Sequence, residues 1–447
     1  MEDIKENLHA DLVIINGMVL TMDSSYRIID KGGVAIVNGS ILEVGEATDI
    51  SARYNAEKLI DAGGKLVMPG LINAHTHAPM NIFRGFADDL PLDKWLYDHI
   101  FPLEEKFIKR ETVATGTRLA IAEMIRSGTT TFNDMYYYAC EMAQIAEQSG
   151  IRAILSGALM DNPKHNGNTA EEVLEYTEDL ILKWKDHPRV NVGVAVHAPY
   201  SASTWLYRAG KELADKYGVQ FHTHLSETPW EVDIILKKYG MRPVEHLEKQ
   251  GVLGSNVVAA HGIHLNDNEL KILAETNTGI AHNPQCNMKL ANGTAPVTEM
   301  LASGIRVGIG TDGAASNNDL DLFDEIRSAA LAHKLATGDP AAMDARTVLE
   351  LATIKGARLL RADHITGSLE AGKQADVIIV DLGKPHAWPL YNIYSLIVYS
   401  LRGSDVESVI VDGQLLMENR RLLTMNLEDL FCEVKEISER ITRAHQR

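Results

Sequence analysis

The sequence predicts an α/β protein, a (β/α)8 TIM-type barrel with a small β-sandwich domain built from both chain ends. Three observations predict it. Eight short segments rich in apolar and β-branched residues alternate with helical stretches through the middle of the chain. That alternation implies parallel strands joined by helical crossovers, and eight such units close a barrel. Histidines and acidic residues collect at the C-terminal ends of those segments, the rim where such barrels keep their chemistry. Short strand-and-turn texture fills both ends of the chain.

At the N-terminal end, residues 11–17 lead by a turn into residues 18–22, and residues 33–40 turn into residues 41–44. Asn38-Gly39 between β-branched runs is a hairpin signal. Residues 375–381 and 406–413 carry the same texture near the other end. Neither end is long enough to bury a sheet face alone. Residues 1–67 and 363–425 are therefore expected to form one composite β-sandwich domain, with the barrel over residues 68–362. The apolar run from Leu66 to Ala74, closing on His75-Thr76-His77, reads as a strand buried on both faces. Further strands are expected at 129–134, 152–160, 190–197, 220–225, 257–261, 279–282 and 306–312. Between the first two, Val113, Ala120, Ile121, Met124 and Ile125 recur at helical spacing and form one stripe. Residues 426–447 read as a polar, amphipathic closing helix.

With 447 residues, 45% of them hydrophobic, the chain can bury a large core. Its net charge of -18, from 61 acidic and 43 basic residues, opposes binding to nucleic-acid phosphates or anionic membranes. Cys140, Cys286 and Cys432 form neither a disulfide framework nor a Cys-x-x-Cys motif, as in a reducing compartment. Residues 1–7 are polar and lack a signal peptide's apolar segment. No apolar run approaches the ~18 residues that span a bilayer. A cytoplasmic location is expected.

His75 and His77 stand at i and i+2, so a strand points both imidazoles to one side, where they can grip a single metal ion. His197 ends the fourth expected strand. His222 and His224 end the fifth, with Glu227 three residues on; His261 ends the sixth and Asp312 the eighth. A packing-only barrel needs apolar or small residues inside, and unpaired polar groups there are costly. Catalytic Zn2+ takes about three protein ligands, keeps a position for water and lowers that water's pKa to about 7. His75, His77, one histidine of strand five and Asp312 supply such a shell. His224 is preferred over His222 because Glu227 lies just beyond it; His222 reads as a supporting residue. A two-metal barrel needs a bridging carboxylate, usually a carbamylated lysine, at the end of strand four. That position holds His197, and residues 190–199 contain no lysine. One Zn2+ per subunit is expected, with Fe2+ or Mn2+ also suited to these ligands. His9, His99, His165, His187, His246, His333, His364, His386 and His445 read as surface residues. His264 and His282 stand near the rim and stay open, while Cys286 and Met288 read as packing.

These residues resemble the amidohydrolase superfamily and, more narrowly, the 5-methylthioadenosine/S-adenosylhomocysteine deaminases, a group that includes 5'-deoxyadenosine deaminases. The resemblance runs over nearly the whole chain. Its carriers are the stretches 69–77, 197–201 and 222–228, together with Asn287-Met288-Lys289-Leu290-Ala291 and the stretch from Gly308 to Asn318. It implies that His75, His77, His224 and Asp312 hold the metal. It further implies that Glu227 shuttles protons to the purine, His261 orients the attacking hydroxide, and Asp312 accepts its proton. Glu104 matches a residue that binds the ribose hydroxyls, His197 one that contacts the purine, and Trp95 lies where it can wall the pocket. The reaction implied converts a 5'-modified adenosine to the corresponding inosine and ammonia. The partner is thus a small nucleoside, with a homo-oligomer as the expected assembly. One departure matters: many members carry an arginine after strand three that pairs with the homocysteine carboxylate. Here Leu155-Ser156-Gly157-Ala158 stands there, and Arg152 comes earlier. Losing that partner favours uncharged 5'-substituents. Other hydrolytic substrates (guanine, a chlorinated triazine), a ring-opening amidase and a non-catalytic assembly protein on the same barrel are the alternatives.

Overall fold

A computed structural model describes residues 8–445 apart from Lys164 and Asn168, so residues 1–7 and the side chain of His445 lie outside the described residues. Eight parallel strands follow one another in chain order: Leu71–Thr76, Thr129–Tyr136, Arg152–Leu159, Val190–Val196, Phe221–Leu225, Val257–His261, Gly279–His282 and Val307–Ile309. The seam between the first and last strands is stitched beside the predicted site. The backbone N–H groups of Thr311 and Asp312 donate to the His75 carbonyl at 3.1 and 3.0 Å. Asn73 Nδ2 adds a 2.8 Å bond to Thr311 Oγ1. The eighth strand is shorter than expected, because residues 310–312 leave the ladder to make this seam. Gly310 is required there: a Cβ would stand 2.4 Å from Asn283 Oδ1 and 2.8 Å from the His75 backbone.

The apolar run from Leu66 to Ala74, expected as one strand, is two strands in different sheets. Lys65–Pro69 pairs antiparallel with Val377–Asp381 in the sheet made by the chain ends. Gly70 breaks the run, and Leu71–Thr76 then enters the barrel. Both halves are buried, so their sequence texture is the same and hides the change of sheet.

Strands from the two chain ends join in one sheet, the C-terminal set on one side and the N-terminal set on the other. The order is Arg421–Leu422, Gln414–Glu418, Val406–Val411, Val377–Asp381, Lys65–Pro69, Leu8–Leu20, Ile28–Val37 and Ser40–Glu46. Leu8–Leu20 shifts register against Ile28–Val37 at Gly17, and on its other edge the first half pairs in parallel with Tyr54–Asp61 and the second half with Lys65–Pro69. Leu12, Ile14, Val34, Ile36, Val67, Val377, Ile379 and Ile410 share one core, so neither chain end buries its face without the other. Each such side chain contributes about 1.5–3 kcal/mol by leaving water.

The helix Arg110–Arg126 buries the predicted stripe of Val113, Ala120, Ile121, Met124 and Ile125. Leu427–His445 lays Leu430, Ile437 and Ile441 down as a buried stripe, and Thr115 Oγ1 donates to Glu433 at 3.0 Å. At the barrel floor, Ala357, Leu359 and Leu360 pack with Ile72, Ala74, Ile154, Val258 and Ala281. Glycine at 279 makes room, since a Cβ there would fall 2.1 Å from Leu359 Cδ1. Arg152 belongs to the same lower end: its guanidinium pairs with both oxygens of Asp376 at 2.9 and 3.0 Å. Among the described residues, no helix is long and apolar enough to cross a membrane.

Candidate metal centre and substrate cavity

Histidines from the first, fifth and sixth strands meet the seam residue Asp312 at the barrel mouth. His75 Nε2 and His77 Nε2 each lie 3.2 Å from Asp312 Oδ1. His77 Nε2 is also 3.2 Å from His224 Nε2. Behind them, His77 Nδ1 faces the Met135 carbonyl and His224 Nδ1 faces the His197 carbonyl, both at 2.7 Å. A carbonyl only accepts, so each Nδ1 carries the proton and each Nε2 turns a lone pair to the centre. Donor atoms of His75, His224, His261 and Asp312 all lie within 4.8 Å of one another. His261, expected to orient hydroxide, therefore stands within the donor group itself. His222 sits outside it, with Nε2 3.0 Å from His75 Nδ1, and supports His75 from behind.

Backbone conformation aims two of these groups. His261 and Asp312 adopt φ of +75° and +60°, a region that costs a non-glycine residue free energy. The left-handed turn swings His261 off the strand's alternation, whose outward neighbours Val257 and Ala259 join the barrel's outer core. Asp312 Oδ2 accepts from Cys286 Sγ at 2.8 Å and Ser316 Oγ at 3.0 Å, leaving Oδ1 to the histidines. Oδ1 and His75 Nε2 are buried without a well-aligned hydrogen-bond partner. Two orphaned polar atoms aimed at one point, with imidazole and carboxylate chemistry around them, fit a metal ion.

Charge in the cluster follows the same geometry. Burial takes His75 down to about 4 despite Asp312 beside it. Burial also opposes protonation of His77, yet Asp312 and then Asp134 outweigh it and carry His77 up to about 9. Burial would raise Asp312, but the His75 and His77 imidazoles hold it well below the usual carboxylate range. Without a cation, Asp312 and His77 thus behave as a carboxylate–imidazolium pair, and a bound cation takes the proton's place.

Glu227 follows the fifth strand and is buried, which raises its pKa. Its Oε1 accepts from Asn292 Nδ2 at 3.0 Å, and its Oε2 lies 3.8 Å from His261 Nε2. Glu231, in the first turn of Pro229–Tyr239, accepts the backbone N–H groups of Ser226 and Glu227 at 2.9 Å each and fixes that corner.

One cavity gathers His77, His224, Glu227, His261 and Asp312 with Trp95, Glu104 and His197, so every predicted site residue except the deeper His75 lines it. Leu92, Leu96, Ile100, Phe101, Tyr136, Tyr137 and Tyr200 complete an apolar wall. Trp95 opens a π-helical turn, Trp95–Ile100, which follows the first strand. Glu104 accepts from Tyr136 Oη at 2.5 Å and from Tyr137 Oη at 3.4 Å. Burial, opposed by those hydroxyls, brings Glu104 to about 7. His197 is driven to about 3 by burial and stays neutral. A second cavity shares Phe101, Glu104, Tyr137 and Tyr200 and adds Tyr97, Met160, Asp161, Asn162 and His165. No lysine or arginine lines either cavity among the described residues.

Several sequence readings need correction. Cys286 does more than pack, since its thiol holds Asp312, and Met288 is 47% exposed rather than packed. His165, His246 and His333 are buried, not superficial. His246 stacks on Tyr239, and His333 faces His282 at 3.2 Å on the outer side of the barrel. His264 touches the site at one remove, through the Asn292 carbonyl at 2.8 Å. Asp134 was missed although it ends the second predicted strand. Its Oδ2 accepts the Ala78 N–H at 2.5 Å and its Oδ1 has no partner. Burial takes it to about 7.

The sequence profile of the Amidohydrolase family matches residues 66–416, which spans the barrel and the part of the flanking sheet nearest to it in the chain. The chain belongs to the amidohydrolase family. Among other amidohydrolases, it is 48% identical to a 5-methylthioadenosine/S-adenosylhomocysteine deaminase from Syntrophobacter fumaroxidans, over 97% of this chain and 98% of that one. It is 44% identical to a 5'-deoxyadenosine deaminase from Methanosarcina acetivorans, again over 97% and 98% of the two chains. A crystal structure of an adenosine deaminase from Xanthomonas campestris with bound zinc superposes with a TM-score of 0.96. That structure is 36% identical and covers 98% of this chain and 100% of its own.

Proposed function

We propose that this amidohydrolase is a metal-dependent deaminase that converts a 5'-modified adenosine to the corresponding inosine and ammonia. The observation that carries the reading is the convergence of a histidine–aspartate donor set and the buried acid Glu227 on one cavity that also holds Glu104. The similarity to deaminases of 5-methylthioadenosine, S-adenosylhomocysteine and 5'-deoxyadenosine supports it. His75, His77, His224 and Asp312 would hold one Zn2+, with Fe2+ or Mn2+ as substitutes. When bound, the metal supplies a water acidic enough to lose its proton near neutral pH.

The chain's own groups do the rest. Asp312, anchored through Oδ2, receives the water proton on Oδ1. His261, with Nδ1 facing Asn287 Oδ1 at 3.0 Å, presents Nε2 to the attacking oxygen and fixes its direction. Burial raises the pKa of Glu227 and so favours its protonated form, in which it can give a proton to the ring nitrogen beside the amino-bearing carbon. That protonation makes the carbon electrophilic; after attack, the amino group takes a proton and leaves as ammonia. His197, neutral, meets the purine as a hydrogen-bonding wall. Glu104 accepts the ribose hydroxyls at the junction of the two cavities, and the 5'-group points into the outer one.

Arg152 is spent on Asp376, so it cannot meet a homocysteine carboxylate. Aromatic and thioether surface from Tyr97, Phe101, Tyr137 and Met160 suits a methylthio or methyl group instead. The test is ammonia release from 5'-deoxyadenosine, 5'-methylthioadenosine, adenosine and S-adenosylhomocysteine. The first two should show the highest kcat/KM, with S-adenosylhomocysteine at least tenfold lower, about 1.4 kcal/mol. Turnover confined to free bases or triazines would contradict the nucleoside reading.

A further inference from the structure

The three groups that handle protons in the proposed reaction come from different strands, yet each has its non-reacting atom held by one short segment. Cys286 Sγ donates to Asp312 Oδ2 at 2.8 Å. Asn287 Oδ1 stands 3.0 Å from His261 Nδ1. Asn292 Nδ2 donates to Glu227 Oε1 at 3.0 Å. All three residues follow the seventh barrel strand, on and just beyond the helix Pro284–Lys289, and all three are buried.

From this geometry we infer that residues 286–292 form a positioning arm that sets Asp312, His261 and Glu227 together. The inference rests on the roles given above to those three groups. Each contact has a stated consequence. An amide oxygen accepts only, so the shorter Asn287 contact, at 3.0 Å against 3.4 Å for the approach of Asn283 Nδ2, favours the proton on His261 Nδ1 and frees Nε2 for the attacking oxygen. An amide nitrogen donates only, so Asn292 engages Oε1 of Glu227 and leaves Oε2 as the proton-carrying oxygen. The Cys286 thiol occupies Oδ2 and turns Oδ1 of Asp312 to the histidines.

The arm is itself tied down just before its start and at its middle. The Gln285 N–H donates to the buried Glu325 at 3.1 Å. Lys289 Nζ pairs with Asp88 Oδ1 at 2.5 Å, on the segment that follows the first strand. A segment that only packed would present apolar side chains to the site, not two amides and a thiol matched in donor and acceptor sense to three separate partners.

The same isosteric change at two positions gives opposite forecasts. Asn292→Asp replaces a donor by a carboxylate facing Glu227, and kcat should fall at least thirtyfold with KM within about threefold. Asn287→Asp keeps the acceptor toward His261, and it should recover most of the turnover that Asn287→Ala loses. Zinc content should be unchanged in both aspartate variants, and both should stay folded at the assay temperature by circular dichroism. Cys286→Ala, but not Cys286→Ser, should alter the visible spectrum of the cobalt-substituted protein, because only the former removes one of the two donors to Asp312 Oδ2 and leaves Ser316 alone there. Glu227→Gln serves as the control. If it is inactive while Asn292→Asp turns over normally, the arm is overturned. If Glu227→Gln is itself active, the deaminase reading fails, and an unchanged cobalt spectrum in Cys286→Ala then overturns the arm separately.

Discussion

Glu227 is the residue on which the proton transfers turn. Replacing it by Gln keeps the shape and the Asn292 contact but removes the acid. The expected outcome is undiminished metal content and a kcat lower by about 10²–10⁴, the usual contribution of a general acid, read by ammonia release. Glu104→Gln should instead act on binding. A carboxylate hydrogen bond replaced by an amide costs on the order of 1–2 kcal/mol, a KM raised roughly tenfold with kcat little changed. At this scale much of the site was legible, because His75, His77, His224, His261 and Asp312 all obey one rule of strand ends facing the barrel mouth. Asp134 obeys the same rule, but its part in the site shows only through space, in its contact with the Ala78 N–H. Cys286, Asn287 and Asn292 were illegible as partners, since their pairing with Asp312, His261 and Glu227 exists only through space.

Glu231 shows how one helix start serves the site. It is fully buried, binds the backbone of Ser226 and Glu227, and burial raises its pKa to about 7. A carboxyl raised above its unfolded value binds an extra proton in the folded state between about pH 4.5 and pH 7. Its contribution is therefore greatest at low pH and is lost as pH rises through that window. Glu231→Gln should remove this part of the slope, on the order of 1–3 kcal/mol. Thermal melts at pH 5 and pH 8 check it: the variant should lose less melting temperature across that interval than the parent. At the barrel floor, Leu359→Ala should destabilise by about 2–5 kcal/mol and leave kcat alone, as urea titration and assay would show together. Most elements were legible from periodicity. The division of the run from Leu66 to Ala74 was not, because burial on both faces looks alike in either sheet.

For the whole molecule, the barrel seam, the orphaned Oδ1 of Asp312 and the convergence of strands one, five, six and eight describe one arrangement. The barrel class was readable because eight alternating segments leave few ways to close. The joining of the two chain ends through Lys65–Pro69 and Val377–Asp381 was foreseen only as a shared need for a core. Because the proposed ligands come from three strands, a metal that binds only the folded state stabilises all of them by mass action. Chelation should lower the melting temperature, by the equivalent of about 4 kcal/mol when free metal stood a thousandfold above its Kd. Elemental analysis of the purified, active protein, paired with turnover before and after chelation, tests the central claim most directly. One equivalent of a transition metal per chain, with activity lost on its removal and regained on adding Zn2+, is the predicted result. Full turnover by protein free of any such metal would contradict it.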